Sequence, residues 1–264
     1  MKCHLLGTGG SVNTLTRHNT SLFLENGPDM TRDGLLIDCN GVCVQRLTAA
    51  GLAFEDLSHV FLTHEHIDHI AALPNFIHQS WVKGCLYRAD NRRTHPLHFY
   101  GNAPTIRAVR ALLDAVKLPQ HPHMFPFEFH ELNDAGGTLT AGSITLTYFP
   151  VNHGPTPCFG LTTDGPNRRL VYSADTEPVQ AIYDHLRDGD ILIHDCNKID
   201  VEINREHTTW AQIEALLPSL PDVTIYLVHL PMLDAEQDAK FQKYMKINYA
   251  ESVIVGIDQE AVTL

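Results

Sequence analysis

The 264-residue sequence predicts an α+β fold in which two β-sheets pack against each other and helices cover the outside. Short apolar and β-branched segments recur in both halves of the chain, and segments with apolar residues three and four apart lie between them. Strands dominate each half. The length lies within the range of a large α/β domain, so we expect a single domain over residues 1–264.

The first half of the chain contains short strand-like segments and longer helix-like ones. The strands are predicted at residues 3–9, 21–25, 34–39, 59–63 and 96–102. Helices are predicted at 70–82, with a proline near the start, and at 105–116. The segment "HPHMFPFEFHELNDAGG", residues 121–137, is rich in proline and histidine and is interpreted as a loop.

The second half of the chain shows the same pattern of short strands with helices between them. The strands are predicted at residues 143–151, 159–164, 168–175, 190–196 and 224–230. Helices are predicted at 177–186 and 208–217.

Strand after strand ends on a polar residue that can bind a metal ion. These residues are Asp38, His64, His153, Asp175, Asp195 and His229. One such ending means little, but six indicate that one edge of the sandwich gathers ligands at the carboxyl ends of its strands.

The densest group is "HEHIDH", residues 64–69, on the turn between a predicted strand and a predicted helix. Imidazole nitrogens and carboxylate oxygens are the usual zinc ligands, and two-metal sites need several of them to converge. His64 and His66 could face one ion, and Asp68 and His69 a second. A solvated loop is the alternative in a chain with 17 histidines, but spacing this dense favours a metal site.

Composition restricts the partners and the compartment. The formal net charge of −12 argues against broad electrostatic capture of nucleic acid or of an anionic membrane. The six cysteines are scattered without a Cys-x-x-Cys pair and fit a reduced protein better than a disulfide framework. The sequence has neither a signal-peptide core at its start nor an apolar run of membrane-spanning length. We expect a cytoplasmic enzyme.

The motif "HEHIDH" resembles the signature of the metallo-β-lactamase superfamily. The remaining metal ligands of that superfamily are matched, in the family's order, by His153 in "VNHG", Asp175 in "SADT" and His229 in "LVHL". The resemblance covers essentially the whole chain. It implies a four-layer αββα sandwich with a dinuclear metal site.

The resemblance also implies how the ligands divide between two divalent ions. They are His64, His66 and His153 for one ion, Asp68, His69 and His229 for the second, and Asp175 as the bridge. Asp68 is in addition expected to act in catalysis. Zinc is the expected metal, and manganese or iron remains open because nitrogen and oxygen ligands alone do not choose decisively.

Within the superfamily, the chain resembles the phosphodiesterase branch, which includes RNase Z and the PhnP-type cyclic phosphodiesterases. The opening "LLGTGGSVNTLT" and the later "HDCN" and "EHTTW" carry this resemblance. There are departures, since "HDCN" replaces the RNase Z motif "HEAT" and His-Thr-Thr replaces its His-Ser-Thr. Neither an insertion like the tRNA-binding arm of many RNase Z enzymes nor the early cysteine cluster of PhnP-type proteins is apparent.

The branch implies metal-dependent hydrolysis of a phosphodiester, and the acidic composition favours a compact, cyclic substrate. A tRNA 3′-processing endonuclease of the RNase Z kind remains an alternative, as does a lactonase with the same seven ligands. A non-enzymatic scaffold is disfavoured because no ligand is missing. Analogy with the family also implies a homodimer.

His207 and Asp195 are the predicted catalytic pair of this branch. An Asp beside the imidazole would fix its tautomer and favour its protonated form, so that His207 can protonate the leaving oxygen. The alternative is that His207 only starts a helix and Asp195 only caps a turn.

Several other polar or glycine-rich positions receive simpler interpretations. The glycines of residues 7–11 more often mark a tight turn than a phosphate cradle. Asp38 is expected to orient metal ligands rather than to bind a metal, and His194 to be a hydrogen-bonded core histidine. An ordinary, partly exposed loop is expected to carry His121, His123 and His130.

Overall fold

The computed structural model describes residues 1–88, 90–199, 205–250 and 252–264, and these form two seven-stranded sheets that pack face to face with helices outside. This confirms the predicted sandwich. In the described ranges, none of the helices combines the length and the apolar composition that crossing a bilayer requires.

The first sheet has the strand order β14-β1-β2-β3-β4-β5-β6. Its members are β1 (Lys2–Gly7), β2 (Ser21–Glu25), β3 (Leu35–Ile37), β4 (His59–Phe61), β5 (Leu97–Gly101), β6 (Phe127–Glu131) and β14 (Ala261–Thr263). Pairing is antiparallel from β14 to β3 and parallel from β3 to β6.

The second sheet has the order β13-β12-β11-β10-β9-β8-β7. Its members are β7 (Gly137–Ala141), β8 (Ile144–His153), β9 (Thr156–Asp164), β10 (Arg169–Tyr172), β11 (Ile191–Asp195), β12 (Thr224–Val228) and β13 (Val253–Val255). Pairing is antiparallel from β7 to β10 and parallel from β10 to β13.

Helices cover both outer faces of the sandwich. They are α1 (Cys43–Ala49), α2 (Ile67–Ile70), α3 (Leu73–Trp81), α4 (Ala103–Ala115), α5 (Gln180–Tyr183), α6 (Trp210–Leu216) and α7 (Ala235–Asn248). The helices α1, α3 and α4 pack on the first sheet, and α5, α6 and α7 pack on the second. Each helix layer thus covers its own apolar cluster, and a further apolar cluster fills the space between the two sheets.

Strands buried on both faces explain why their sequences are continuously apolar. In β2, Leu22 and Leu24 point into the core between the sheets, whereas Phe23 points into the core under the helices. The sequence of a strand covered on both faces is a continuous apolar run rather than an alternation of apolar and polar residues.

The loop interpretation of residues 121–137 is wrong in part, because this segment contains β6 and the first residue of β7. In "FEFHE" the two phenylalanines pack toward the helices while Glu128 and His130 lie on the opposite face. This period-2 alternation was a usable signal, but the flanking Pro and His residues obscured it. His130 is therefore a strand residue rather than a loop residue.

Other elements were missed or misjudged in extent. The sequence reading did not predict α1, α7, β13 and β14. The helix predicted at 70–82 is divided into α2 and α3, followed by a π-helical turn at Val82–Leu86. The helix predicted at 177–186 is only the single turn α5.

Candidate metal centre

The strand-to-helix turn after β4 is held in place by one buried carboxylate, Asp38. Its Oδ1 accepts the backbone N–H of Thr63 at 2.9 Å, and its Oδ2 accepts the Thr63 hydroxyl at 2.8 Å. The same Oδ2 lies 2.8 Å from His69 Nδ1. Because Asp38 binds Nδ1, the other ring nitrogen of His69 is left to face the metal centre. The contacts agree with the orienting role expected of Asp38.

Three strand ends at this edge have unusual backbone conformations. Asp38, Ala174 and His229 follow β3, β10 and β12 with φ of 57°, 53° and 53°. Left-handed φ values are uncommon outside glycine and cost free energy that the surrounding structure must offset. The chain therefore turns sharply at the positions where it delivers ligand-type side chains.

His64, His66 and His153 form one compact group. One nitrogen of each lies within 4.8 Å of the others. His153 Nε2 is 3.0 Å from His66 Nδ1, while His153 Nδ1 faces the backbone carbonyl of Glu206 at 2.6 Å. The first predicted triad is thus brought together from β8 and the turn after β4.

Asp68, His69 and His229 form a second group whose donor atoms also lie within 4.8 Å of one another. Asp68 Oδ2 is 3.5 Å from Nε2 of both histidines. Asp175 lies between the two groups. Its Oδ2 is 3.3 Å from His69 Nε2, 3.1 Å from His229 Nε2 and 3.9 Å from His64 Nε2.

Buried polar atoms without hydrogen-bond partners show whether these residues suit a metal ion. Four buried atoms at the centre have no hydrogen-bond partner among the described residues: His64 Nε2, His69 Nε2, His229 Nε2 and Asp175 Oδ1. Each such atom costs about 1–3 kcal/mol if it stays unsatisfied. Coordination to metal would satisfy all four, so the donor set fits metal binding.

Burial and charge give His64 and Asp175 protonation states that suit metal binding. Burial is the main reason that the pKa of His64 lies well below its usual value, which keeps this imidazole neutral. Burial alone would raise the pKa of Asp175, but the charges of His229 and His69 outweigh it and hold that pKa well below its usual value. Asp175 is therefore an anion.

His207 and Asp195 are in direct contact beside this centre. His207 Nδ1 lies 2.9 Å from Asp195 Oδ2, which also accepts the backbone N–H of Thr176 at 3.1 Å. Burial would lower the pKa of His207, but the hydrogen bond and the charge of Asp195 outweigh it and raise that pKa. His207 shares a group of donors within 4.8 Å with His153 and Asp175.

The structure also shows which residue caps the helix that follows this pair. The residue that caps α6 is Thr209, whose side chain accepts the N–H of Gln212 in a capping box. Asp195 ends β11 and its carboxylate is directed to His207 and Thr176 rather than to a turn of its own.

Sequence reasoning missed Asn197 as a contact of a predicted ligand. Its Nδ2 lies 3.0 Å from His229 Nδ1 and donates to the His229 carbonyl at 3.2 Å. A signal existed, because Asn197 closes the "HDCN" segment that departs from the RNase Z motif. The contact fixes the ring of His229 from the side opposite Asp175.

The glycine-rich loop, residues 7–11, packs against the same ligand. The Gly10 N–H donates to the Leu230 carbonyl at 2.8 Å, and a Cβ on Gly10 would lie 2.8 Å from Asn197 Nδ2. A side chain at residue 10 would therefore displace the Asn197 amide that contacts His229. His194 is buried, with Nδ1 at 2.8 Å from the Asp195 carbonyl, and is the core histidine that was expected.

Two packed mixed sheets with histidines and aspartates gathered at their strand ends define a metal-dependent hydrolase of the metallo-β-lactamase superfamily. Residues 1–252 match the family described as Anti-Pycsar protein Apyc1, and the chain belongs to that family.

Similar proteins agree with this class. Ribonuclease Z from Mycobacterium bovis is 26% identical over an alignment of 279 positions, which covers 98% of this chain and 96% of that protein. The metallo-β-lactamase fold protein YhfI from Bacillus subtilis superposes with a TM-score of 0.75 at 19% identity, over 98% of each chain. A diphosphatase of the PhnP family superposes with a TM-score of 0.72 at 16% identity, over 100% of this chain and 97% of that one. The resemblance to the RNase Z and PhnP-type branch is confirmed.

Proposed function

We propose that the protein is a dinuclear metal-dependent phosphodiesterase that hydrolyses a compact cyclic phosphodiester, such as a cyclic nucleotide or a cyclic sugar phosphate. The observation that carries this proposal is the His207–Asp195 pair beside two groups of ligand-type side chains. A positioned proton donor next to a metal centre suits a reaction that must protonate a poor leaving oxygen.

The residues that would hold the metals are those predicted from the sequence. They are His64, His66 and His153 for one ion, Asp68, His69 and His229 for the other, and Asp175 between them. When bound, two divalent cations activate water and neutralise the charge that builds up on the phosphoryl oxygens. Zinc suits this nitrogen and oxygen donor set best, and manganese and iron are the alternatives.

The chain's own groups supply the proton chemistry. Water adds its oxygen to phosphorus and releases one proton to the solvent, the bond from phosphorus to the ester oxygen breaks, and His207 gives a proton to the departing oxygen. Asp195 holds the Nδ1 side of the ring and stabilises the imidazolium before the transfer. The His207 side chain is 16% exposed, so a substrate can reach it. Asp68, with 10% of its side chain exposed, could also accept a hydrogen bond from the attacking water.

The negative net charge of the protein supports a compact substrate. With a net charge of −12, the surface would repel a long polyanion beyond the few phosphates that a metal centre neutralises. The similarity to a PhnP-family diphosphatase agrees with a small substrate. The similarity to ribonuclease Z supports the second candidate, an endonuclease acting on tRNA precursors.

A substrate screen tests the proposal. The metal-loaded protein is assayed with bis-p-nitrophenyl phosphate, 2′,3′- and 3′,5′-cyclic nucleotides, a tRNA precursor and an acyl-homoserine lactone. Turnover of the cyclic compounds is expected, with loss of turnover in Asp175→Ala. Cleavage of the tRNA precursor alone would favour the endonuclease, and turnover of the lactone without any phosphodiester would overturn the proposal.

The homodimer and the cytoplasmic location stay predictions from the family resemblance and the composition. Light scattering of the purified protein measures its oligomeric state, and fractionation of the source cells measures its location.

A further inference from the structure

A second concentration of ligand-type side chains lies away from the metal centre, on the last two strands at the β6 edge of the first sheet. We call His98, Glu128 and His130 the edge cluster. His98 lies on β5, and the other two lie on β6 at alternate positions, so all three share one face of the sheet. The register places His98 beside Glu128 and Tyr100 beside His130.

The spacing of the donor atoms fits a metal ion. His98 Nδ1 lies 3.1 Å from His130 Nε2 and 3.3 Å from Glu128 Oε2. One donor atom from each of the three residues lies within 4.8 Å of the others. Ligands about 2.0–2.2 Å from a tetrahedral zinc ion are roughly 3.3 Å apart, which is close to both observed distances.

A hydrogen bond alone accounts poorly for this convergence. Both contacts use the same atom, His98 Nδ1, and a neutral imidazole nitrogen offers either one N–H or one lone pair, so it can satisfy only one of the two contacts. Burial is the main reason that the pKa of His98 lies below its usual value, so its neutral form is favoured. Neutral imidazole is the form that binds a metal.

Neighbouring rings hold the edge cluster in place. His59 stacks on His98 with ring centroids 4.9 Å apart, and Tyr100 stacks on His130 at 4.7 Å. His59 Nδ1 lies 3.1 Å from the Tyr100 hydroxyl. Packing of this kind restricts the ligand rotamers and lowers the entropy lost when a metal binds.

We propose that the edge cluster is a further divalent-metal site, with zinc as the expected ion and His98, Glu128 and His130 as its protein ligands. Three ligands leave the fourth tetrahedral position to water. The ion would fasten the edge strand β6 to β5 and would therefore stabilise the fold rather than act on the substrate.

The edge cluster is separate from the proposed dinuclear centre. His59, which stacks on His98, begins β4, and His64 lies three residues beyond the end of that strand. The edge cluster therefore lies beside the start of β4, whereas the proposed dinuclear centre lies beyond its end. Loss of one site should therefore leave the ligands of the other in place.

Zinc counting tests this proposal. Wild-type protein and the variants His130→Gln and Glu128→Gln are saturated with zinc, passed through gel filtration and analysed for bound metal per chain. The wild type should retain one ion more than either variant. Exposed His78 on α3 supplies the matched control, and His78→Gln should retain as many ions as the wild type.

A second measurement guards against a variant that only misfolds. Without added zinc, His130→Gln should unfold at the same temperature as the wild type, and added zinc should stabilise the wild type more. Equal zinc counts in wild type and His130→Gln would overturn the proposal. So would the loss of one ion in His78→Gln as well, because the binding would then be unspecific. Since the measured quantity is a difference of one ion, the result does not depend on the proposed phosphodiesterase activity.

Discussion

The Nδ1 atom of His207 lies 2.9 Å from Oδ2 of Asp195, and the Asp195 side chain is fully buried behind it. A carboxylate in this position sets the tautomer of the ring and favours its charged form. The His207–Asp195 pair lies at the same edge of the sandwich as the candidate metal ligands.

Replacing His207 with Ala should lower turnover of a cyclic nucleotide by about two orders of magnitude or more, the usual scale for loss of a general acid. The loss should be much smaller with bis-p-nitrophenyl phosphate, because p-nitrophenolate leaves without protonation. The metal content should stay that of the wild type, as should the turnover of the control His78→Ala. Equal losses on both substrates would mean that His207 binds substrate or maintains structure.

Asp38→Asn should weaken metal binding by about 10–100-fold, the usual effect of removing a carboxylate that orients a histidine ligand. Asparagine tolerates the left-handed φ of 57° at this position, so the turn itself should survive. Metal dissociation constants from competition with a chelator measure the effect. Asp114→Asn, on the exposed face of α4, is the control. Unchanged affinity in Asp38→Asn would show that the contact to His69 does not orient it.

Gly7→Ala should destabilise the fold by about 1–3 kcal/mol, the usual cost of overpacking. The added Cβ would collide with the Asn19 carbonyl and the Asn40 amide, and the carbonyl belongs to backbone that cannot rotate away. At Gly41 a Cβ would meet no atom within 4 Å, so Gly41→Ala serves as the control. Denaturant unfolding of both variants measures the difference. Equal stability would contradict the close approach at Gly7.

His194 should make stability fall as the pH falls below about 6.5. Burial is the main reason that its pKa in the folded protein lies below the usual value of 6.5. Between these two pKa values the unfolded chain binds more protons than the folded one, so stability is lost as the pH drops through this range. In His194→Asn the free energy of unfolding should therefore change less between pH 7 and pH 5.

The control for His194 is Tyr183→Phe, which removes the hydroxyl 3.3 Å from His194 Nε2 but leaves the titrating ring. Its pH dependence should stay close to that of the wild type. If His194→Asn kept the full wild-type slope, proton uptake by other groups would account for the acid sensitivity.

The sequence predicted much of the architecture because its strands are short, strongly apolar and bounded by turns. The boundaries of β2 agree with the prediction, since "SLFLE" is buried on both faces and flanked by polar residues. The alternating β6 was taken for a loop because it forms the sheet edge, where Glu128 and Glu131 are exposed and His130 is half-buried. The C-terminal α7 has a largely polar sequence, which hid its apolar contacts Phe241 and Met245.

By itself, the sequence determined which residues could bind metal, because "HEHIDH" and the polar strand ends carry the donor chemistry wherever they lie. Only the tertiary structure decided which of them meet. Asp195 and His207 come from different elements, and Asn197 reaches His229 across adjacent strands of one sheet. The physical reason is that the carboxyl ends of parallel strands converge on one edge, whereas the register between strands determines which side chains touch there.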